Sequence, residues 1–190
     1  MKYLIAGLGN IGKEYDNTRH NIGFRILDAL AGASNIVFED RRYGFVADYK
    51  FKSRTFVLLR PTTYVNLSGR AVNYWLQKED IPLSNLLVLC DDIALPFGTL
   101  RLKAKGSDGG HNGLHNITDV LGSNEFARLR FGIGDNFHKG TQINYVLGTW
   151  SREEEKSLPL LIGDCIEIIH SFGTLGVDKT MNLFNKKKPE

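Results

Sequence analysis

Apolar residues recur along the chain with two different periods, and the alternation between them outlines the elements. Lys2 to Leu8 is a compact apolar run that breaks into Gly7-Leu8-Gly9-Asn10, which predicts a buried strand feeding a turn. Ile22, Ile26, Leu27 and Leu30 then recur at helical spacing up to Gly32, so a helix is expected over about residues 22 to 31. Tyr43 to Tyr49 and Thr55 to Leu59 read as a hairpin through the polar turn Phe51-Lys52-Ser53-Arg54, with Pro61 ending the second strand. The stripe Leu67, Ala71, Val72, Trp75 and Leu76 is helical, and Pro82 follows its end. Leu86 to Cys90 is apolar throughout, as a central strand covered on both faces must be. It delivers Asp91 and Asp92 to the sheet edge where open α/β sheets bind ligands.

The second half continues the mixture. Thr99 to Leu102 is a short strand, and the segment from Lys105 to Gly113 reads as a flexible, functional glycine-rich loop. The loop enters a helix carrying Leu114, Ile117, Val120 and Leu121. Phe126 to Gly134 and Tyr145 to Leu147 supply two more strand candidates, and Ser151 with Glu154 forms a capping box for a helix reaching about Phe172. With no repeat and no linker, the pattern predicts one α/β domain over residues 1–190. Its central sheet should be mixed and twisted, with helices on both faces.

Composition agrees with that outline and narrows the setting. A chain of 190 residues with 42% hydrophobic content can bury one substantial core. Cys90 and Cys165, the two cysteines, lie in apolar surroundings and suit reduced thiols of a cytoplasmic protein. The apolar run near Met1 is too short for a signal peptide or a membrane span, so no membrane association is expected. A net charge of +3 permits an anionic partner without identifying one, and Lys186, Lys187 and Lys188 read as a solvated tail.

Candidate chemistry gathers at three places. Gly7-Leu8-Gly9-Asn10-Ile11-Gly12 has the spacing of a dinucleotide-binding fingerprint, but that motif needs a helix to start at once, and here the helix begins about nine residues late. The glycines read instead as a turn. The polar stretch after them carries Tyr15, Asn17, Thr18, Arg19, His20 and Asn21, among which His20, with an ordinary pKa of about 6.5, suits a general base at neutral pH. A helix cap is the alternative role for His20, and turn chemistry ahead of Pro96 is the alternative for Asp91 and Asp92. A histidine base works best when an acceptor fixes its tautomer, and two strand ends could bring Asp91 to His20. His111 and His115 have a zinc-like spacing but no glutamate between them, so no metal is expected. Ser107 lacks the strand-turn-helix elbow of a serine nucleophile.

Six blocks, taken together, resemble the bacterial-type peptidyl-tRNA hydrolases: Gly7-Leu8-Gly9-Asn10; Thr18-Arg19-His20-Asn21 with Gly23; Pro61 through Tyr64 and Asn66 to Gly69; Asp91-Asp92 before Leu95-Pro96; Gly109-Gly110-His111-Asn112-Gly113; and Arg128-Leu129-Arg130 with Gly132 and Gly134. The blocks keep the family's order and spacing from residue 1 to about residue 150. The resemblance implies hydrolysis of the ester between a peptide and the terminal ribose of tRNA, without cofactor or metal, by a monomer. On this reading His20 activates water and Asp91 orients it. Asn10 falls among the catalytic positions, and Tyr64, Asn66, His111 and Asn112 among those that meet substrate. Amide side chains can donate to a carbonyl or oxyanion and accept from hydroxyls. Tyr15 matches a rim tyrosine able to pack on the terminal adenine, while Lys103 and Arg130, with Lys105, His138 and Lys139, match a basic surface for tRNA phosphates.

The sequence departs from the common family pattern at Ile11, Val65, Cys90 and Ala94, none of which removes a proposed catalytic group. Two other functions compete. An RNA-binding protein of the same fold would share the basic cleft without hydrolysis, and a nucleotide-dependent enzyme would bind dinucleotide through the glycine turn.

Overall fold

Seven strands form one sheet in the order β2-β3-β4-β1-β5-β7-β6. They are β1 (Lys2–Gly7), β2 (Glu39–Arg41), β3 (Gly44–Phe51), β4 (Arg54–Pro61), β5 (Leu86–Asp92), β6 (Leu100–Lys103) and β7 (Ala127–Gly132). The computed structural model describes residues 1–185, so Lys186, Lys187 and Lys188 lie outside the described residues. β4, β1, β5 and β7 are parallel, whereas β2, β3 and β6 pair antiparallel at the two edges. The sheet is therefore mixed, as the sequence pattern predicted.

Alternation along the central strands divides the core in two. Ile5, Leu58, Leu87 and Leu89 face one layer, with α1 (Ile22–Ala33), α5 (Arg152–Leu175) and α6 (Val177–Phe184). Leu4, Val57, Leu59, Val88 and Cys90 face the other, with α2 (Ser68–Lys78) and α3 (Asn112–Leu121). α5 is long and apolar enough to cross a membrane, yet it is a working core helix here: Leu158, Ile162, Cys165, Ile168, Ile169 and Phe172 are all buried against the sheet. Its start carries the full expected capping box, Ser151 Oγ accepting from the Glu154 N–H and Glu154 accepting from the Ser151 N–H.

Three sequence expectations need correction. Tyr145 to Leu147 is not a strand but the end of a short helix, α4 (Gln142–Val146), because three apolar residues with no free strand beside them find their partners on a helix face. Tyr145 packs on Phe137, lies under Arg19, and donates its hydroxyl to the Ile133 carbonyl. The glycines at the end of β1 are not simply a turn. A Cβ on Gly7 would lie 2.4 Å from the Gly23 carbonyl oxygen, and one on Gly23 would lie 2.5 Å from the Leu8 nitrogen, so these glycines let α1 rest directly on β1. The loop from Lys105 to Gly113 is tethered rather than loose. Arg128, fully buried, donates to the Gly106 and Ser107 carbonyls, and Arg130 donates to Ser107 as well.

Candidate active site

The carboxyl ends of β1, β4, β5 and β7 share one edge of the sheet, and the site is assembled there. β5 carries Asp91 one residue before its end, and the sheet around it buries the carboxylate. His20 comes from a tight helical turn, Arg19–Asn21, just ahead of α1, and the glycine contact between α1 and β1 seats that turn over β5. His111 stands at the start of α3, after the tethered loop.

These three side chains form one hydrogen-bonded unit. His20 Nδ1 lies 2.9 Å from Asp91 Oδ1 and 3.0 Å from Oδ2, and His111 Nε2 lies 2.9 Å from Oδ1. His111 Nδ1 accepts the Gly113 and Leu114 N–H groups, capping α3, so its proton must sit on Nε2 and point at Asp91. His20 likewise donates from Nδ1, which leaves its Nε2 lone pair without a partner among the described residues. His20 therefore does not cap α1; Asn21 holds that position.

The charges follow from this arrangement. Burial opposes ionisation of Asp91, but His20 and His111 outweigh it and hold the carboxyl well below the usual range. Burial also opposes the imidazolium of His20, while the charge of Asp91 and its hydrogen bond more than compensate, so the His20 pKa is raised above its ordinary value. Cys90, directly before Asp91, is buried with its thiol pushed up, first by burial and then by the Asp91 charge, and is inert as a nucleophile. Cys165 is also free and buried.

His20, Asp91 and His111 place ligand atoms within 4.8 Å of one another, a spacing that could attract a metal ion. Their hydrogen bonds argue otherwise. Both imidazoles turn an N–H toward the shared carboxylate, so a metal ion bound between them would first have to displace those protons. His115, the other half of the zinc-like spacing, is exposed and turned away, bonded to Asp108 and Asp119.

A cavity of about 100 Å³ opens beside this unit, lined among others by His20, Asp91, His111, Asn112, Arg130 and Ile143. That space admits a reacting group and a water, so a larger substrate must lie across the mouth. Among the predicted site residues, Asn10, Tyr15, Tyr64, Asn66 and Lys103 are not in its wall. Asn10 is nonetheless fixed beside it: Asn21 exchanges hydrogen bonds with its backbone, and its Oδ1 accepts the Val65 N–H at 2.9 Å, which leaves Nδ2 as an available donor. Tyr64 and Asn66 are exposed after β4, Tyr15 is half-buried after β1, and Lys103 is exposed on β6. Arg130 departs from the expected basic surface. It is 8% exposed, and its guanidinium is engaged by Asp92 and the Ser107 carbonyl.

Two positioning residues escaped the sequence reading. Asn21, 4% exposed, ties Asn10 to the His20 turn, and its only advance signal was its place beside His20. Arg19 lies 4.2 Å from the Tyr145 ring and pairs with Glu154 at 3.0 Å, fastening the His20 turn to α4 and α5.

Known proteins are similar to this chain in sequence and in fold. The family profile described as peptidyl-tRNA hydrolase matches residues 4–190. The chain belongs to the peptidyl-tRNA hydrolase family. Members similar to it include the peptidyl-tRNA hydrolase of Phocaeicola vulgatus, 59% identical over 187 residues, covering 98% of this chain and all of that protein. That of Azobacteroides pseudotrichonymphae is 60% identical over 186 residues with the same coverage. A crystal structure of peptidyl-tRNA hydrolase from Acinetobacter baumannii superposes with a TM-score of 0.91 at 34% identity, covering 99% of this chain and 96% of that one. The family match thus runs past the last of the six blocks and takes in α5, where the sequence alone offered little to compare.

Proposed function

We propose that this protein hydrolyses the ester joining a peptide's terminal carboxyl to the ribose of tRNA, using a water activated by His20. Family membership carries the reaction class, and one observation carries the mechanism: Asp91 holds the Nδ1 proton of His20, leaving Nε2 unprotonated beside the cavity. Nε2 takes a proton from water as the oxygen adds to the ester carbonyl. The resulting oxyanion accepts from amide donors, a role we assign to Asn112 in the cavity wall and to the free Nδ2 of Asn10. Collapse of the adduct expels the ribose oxygen, which recovers the proton from the His20 imidazolium, and Asp91 stabilises that cation while it lasts.

On this reading Tyr15, Tyr64 and Asn66 meet the parts of the substrate that extend beyond the cavity. Lys103, with Lys105, His138 and Lys139, offers positive charge to tRNA phosphates on the β6–β7 side, and Arg130 acts there through the Ser107 loop that it holds. No step needs a metal or organic cofactor, and a cytoplasmic monomer suffices. Release of deacylated tRNA from an N-blocked aminoacyl-tRNA, measured with EDTA present, tests the proposal. The wild-type protein is expected to cleave, and His20→Ala to lose nearly all turnover while retaining tRNA binding. Substantial cleavage by His20→Ala would sink the mechanism, and binding without cleavage by the wild type would favour an RNA-binding role.

A further inference from the structure

A second cluster of recognition groups lies on the same sheet edge, and the reaction as described makes no use of it. At the turn between β2 and β3, the Arg42 guanidinium lies 5.1 Å from the Tyr43 ring and 5.3 Å from the Tyr74 ring. The two tyrosines meet edge to face at 5.5 Å. Arg70, Asn73, Tyr74 and Gln77 come from one face of α2, and Val120 of α3 completes a shallow depression. Arg41 next door is neutralised by Glu39, whereas neither Arg42 nor Arg70 has a carboxylate within ion-pair distance among the described residues. Both are exposed, and both hold the Tyr43 phenol below its ordinary range, Arg42 more strongly.

Strand register fixes where this cluster stands. Gly44 pairs with Pro61, and the Tyr43 carbonyl accepts the Thr62 N–H at 2.9 Å, so Tyr43 sits where β4 turns into the Tyr64–Asn66 segment. α2 begins at Ser68, which places Arg70 in its first turn, just beyond Asn66. In the sheet, β3 is three strands from β5, about 14 Å at ~4.8 Å per strand. An extended chain covers that distance in about three to five residues. Lys103 and Lys105 lie toward the opposite end of the sheet, so a tRNA bound there leaves the peptide to run over β4 toward β3.

We infer that Arg42, Arg70, Tyr43 and Tyr74 form a peptide subsite that selects an acidic side chain three to five residues from the ester. The inference rests on the hydrolase reading, with tRNA on the β6–β7 side. Two guanidiniums without acidic partners supply forked donors for a carboxylate, and the tyrosine rings give the peptide backbone a surface to lie on.

Three substrates separate the possibilities: an N-acetyl-aminoacyl-tRNA too short to reach the cluster, and two otherwise identical pentapeptidyl-tRNAs with Glu or Gln at the fourth residue from the ester. The wild-type protein and the double variant Arg42→Gln/Arg70→Gln are compared by kcat/KM. The expected result is at least a fivefold preference for the Glu peptide in the wild type, abolished in the variant, with the short substrate cleaved equally by both. Absence of a preference in the wild type overturns the subsite and leaves the hydrolase reading standing. An equal loss on all three substrates in the variant assigns the cluster to tRNA and also overturns it. Failure of the wild type to cleave any of them removes the hydrolase reading, and the subsite with it.

Discussion

Asp91 accepts from two imidazoles at once, and this sharing decides what each histidine can do with its other nitrogen. The backbone of α3 occupies the second nitrogen of His111, so His111 can only steady the carboxylate, while the second nitrogen of His20 stays open. In the proposed mechanism the working form of His20 is neutral, and its pKa is raised, so kcat/KM should climb with pH through a midpoint above about 6.5. Asp91→Asn removes the charge that raises the pKa and leaves the burial that lowers it. A pH-rate profile of this variant should show the midpoint moved down and turnover reduced by about two to four orders of magnitude. Stability follows pH in the same direction, but further toward acid. The depressed Asp91 carboxyl stabilises the fold fully above its unfolded value of about 3.9, and that contribution is lost as the pH falls toward the folded value. His20 and Asp91 were legible as a pair because each stood at the end of a recognisable strand or turn. Asn21 was not, since a buried asparagine looks no different in sequence from one in a loop.

Between elements, the contact of Gly7 with Gly23 sets how closely the His20 turn approaches β5. Gly7→Ala should destabilise the protein by about 1–3 kcal/mol in urea unfolding, because backbone, not a yielding side chain, stands in the way. Activity should fall as well, because the same shift carries His20 away from Asp91. The hairpin between β3 and β4 offers the opposite change. Lys52 and Ser53 both adopt positive φ, 45° and 64°, where Asn and Gly are favoured, so Lys52→Asn/Ser53→Gly should raise stability by about 1 kcal/mol. The long apolar strands and the α5 capping box could be read directly because periodicity and cap chemistry reinforce each other. β2 could not, because Glu39, Asp40 and Arg41 are all exposed and give no alternation. α4 was mistaken for a strand because three apolar residues carry too little periodicity to separate the two.

For the molecule as a whole, charge is distributed rather than abundant, and a net +3 conceals arginines that are buried. Arg128 and Arg130 alternate with Leu129 along β7, which in sequence suggests one wet face. The structure instead surrounds Arg128 with carbonyl oxygens and holds Arg130 between the Ser107 carbonyl and Asp92, a cage that forms only when a distant loop folds over the strand. Lys103, exposed on β6, is a better candidate for direct phosphate contact. Substrate affinity should weaken with salt, and Lys103→Gln should make the slope of log affinity against log salt shallower by about one. The caged arginines also bear on substrate capture. From Gly106 to His111, the chain is held by Arg128 and Arg130, by the Asp108 carboxylate on the Gly110 N–H, by the His111 N–H on the Asp108 carbonyl, and by His111 on Asp91. Ordering a free residue takes about 1–2 kcal/mol of conformational entropy, and here that loss is incurred on folding, so almost none is left to subtract from the binding free energy of the substrate.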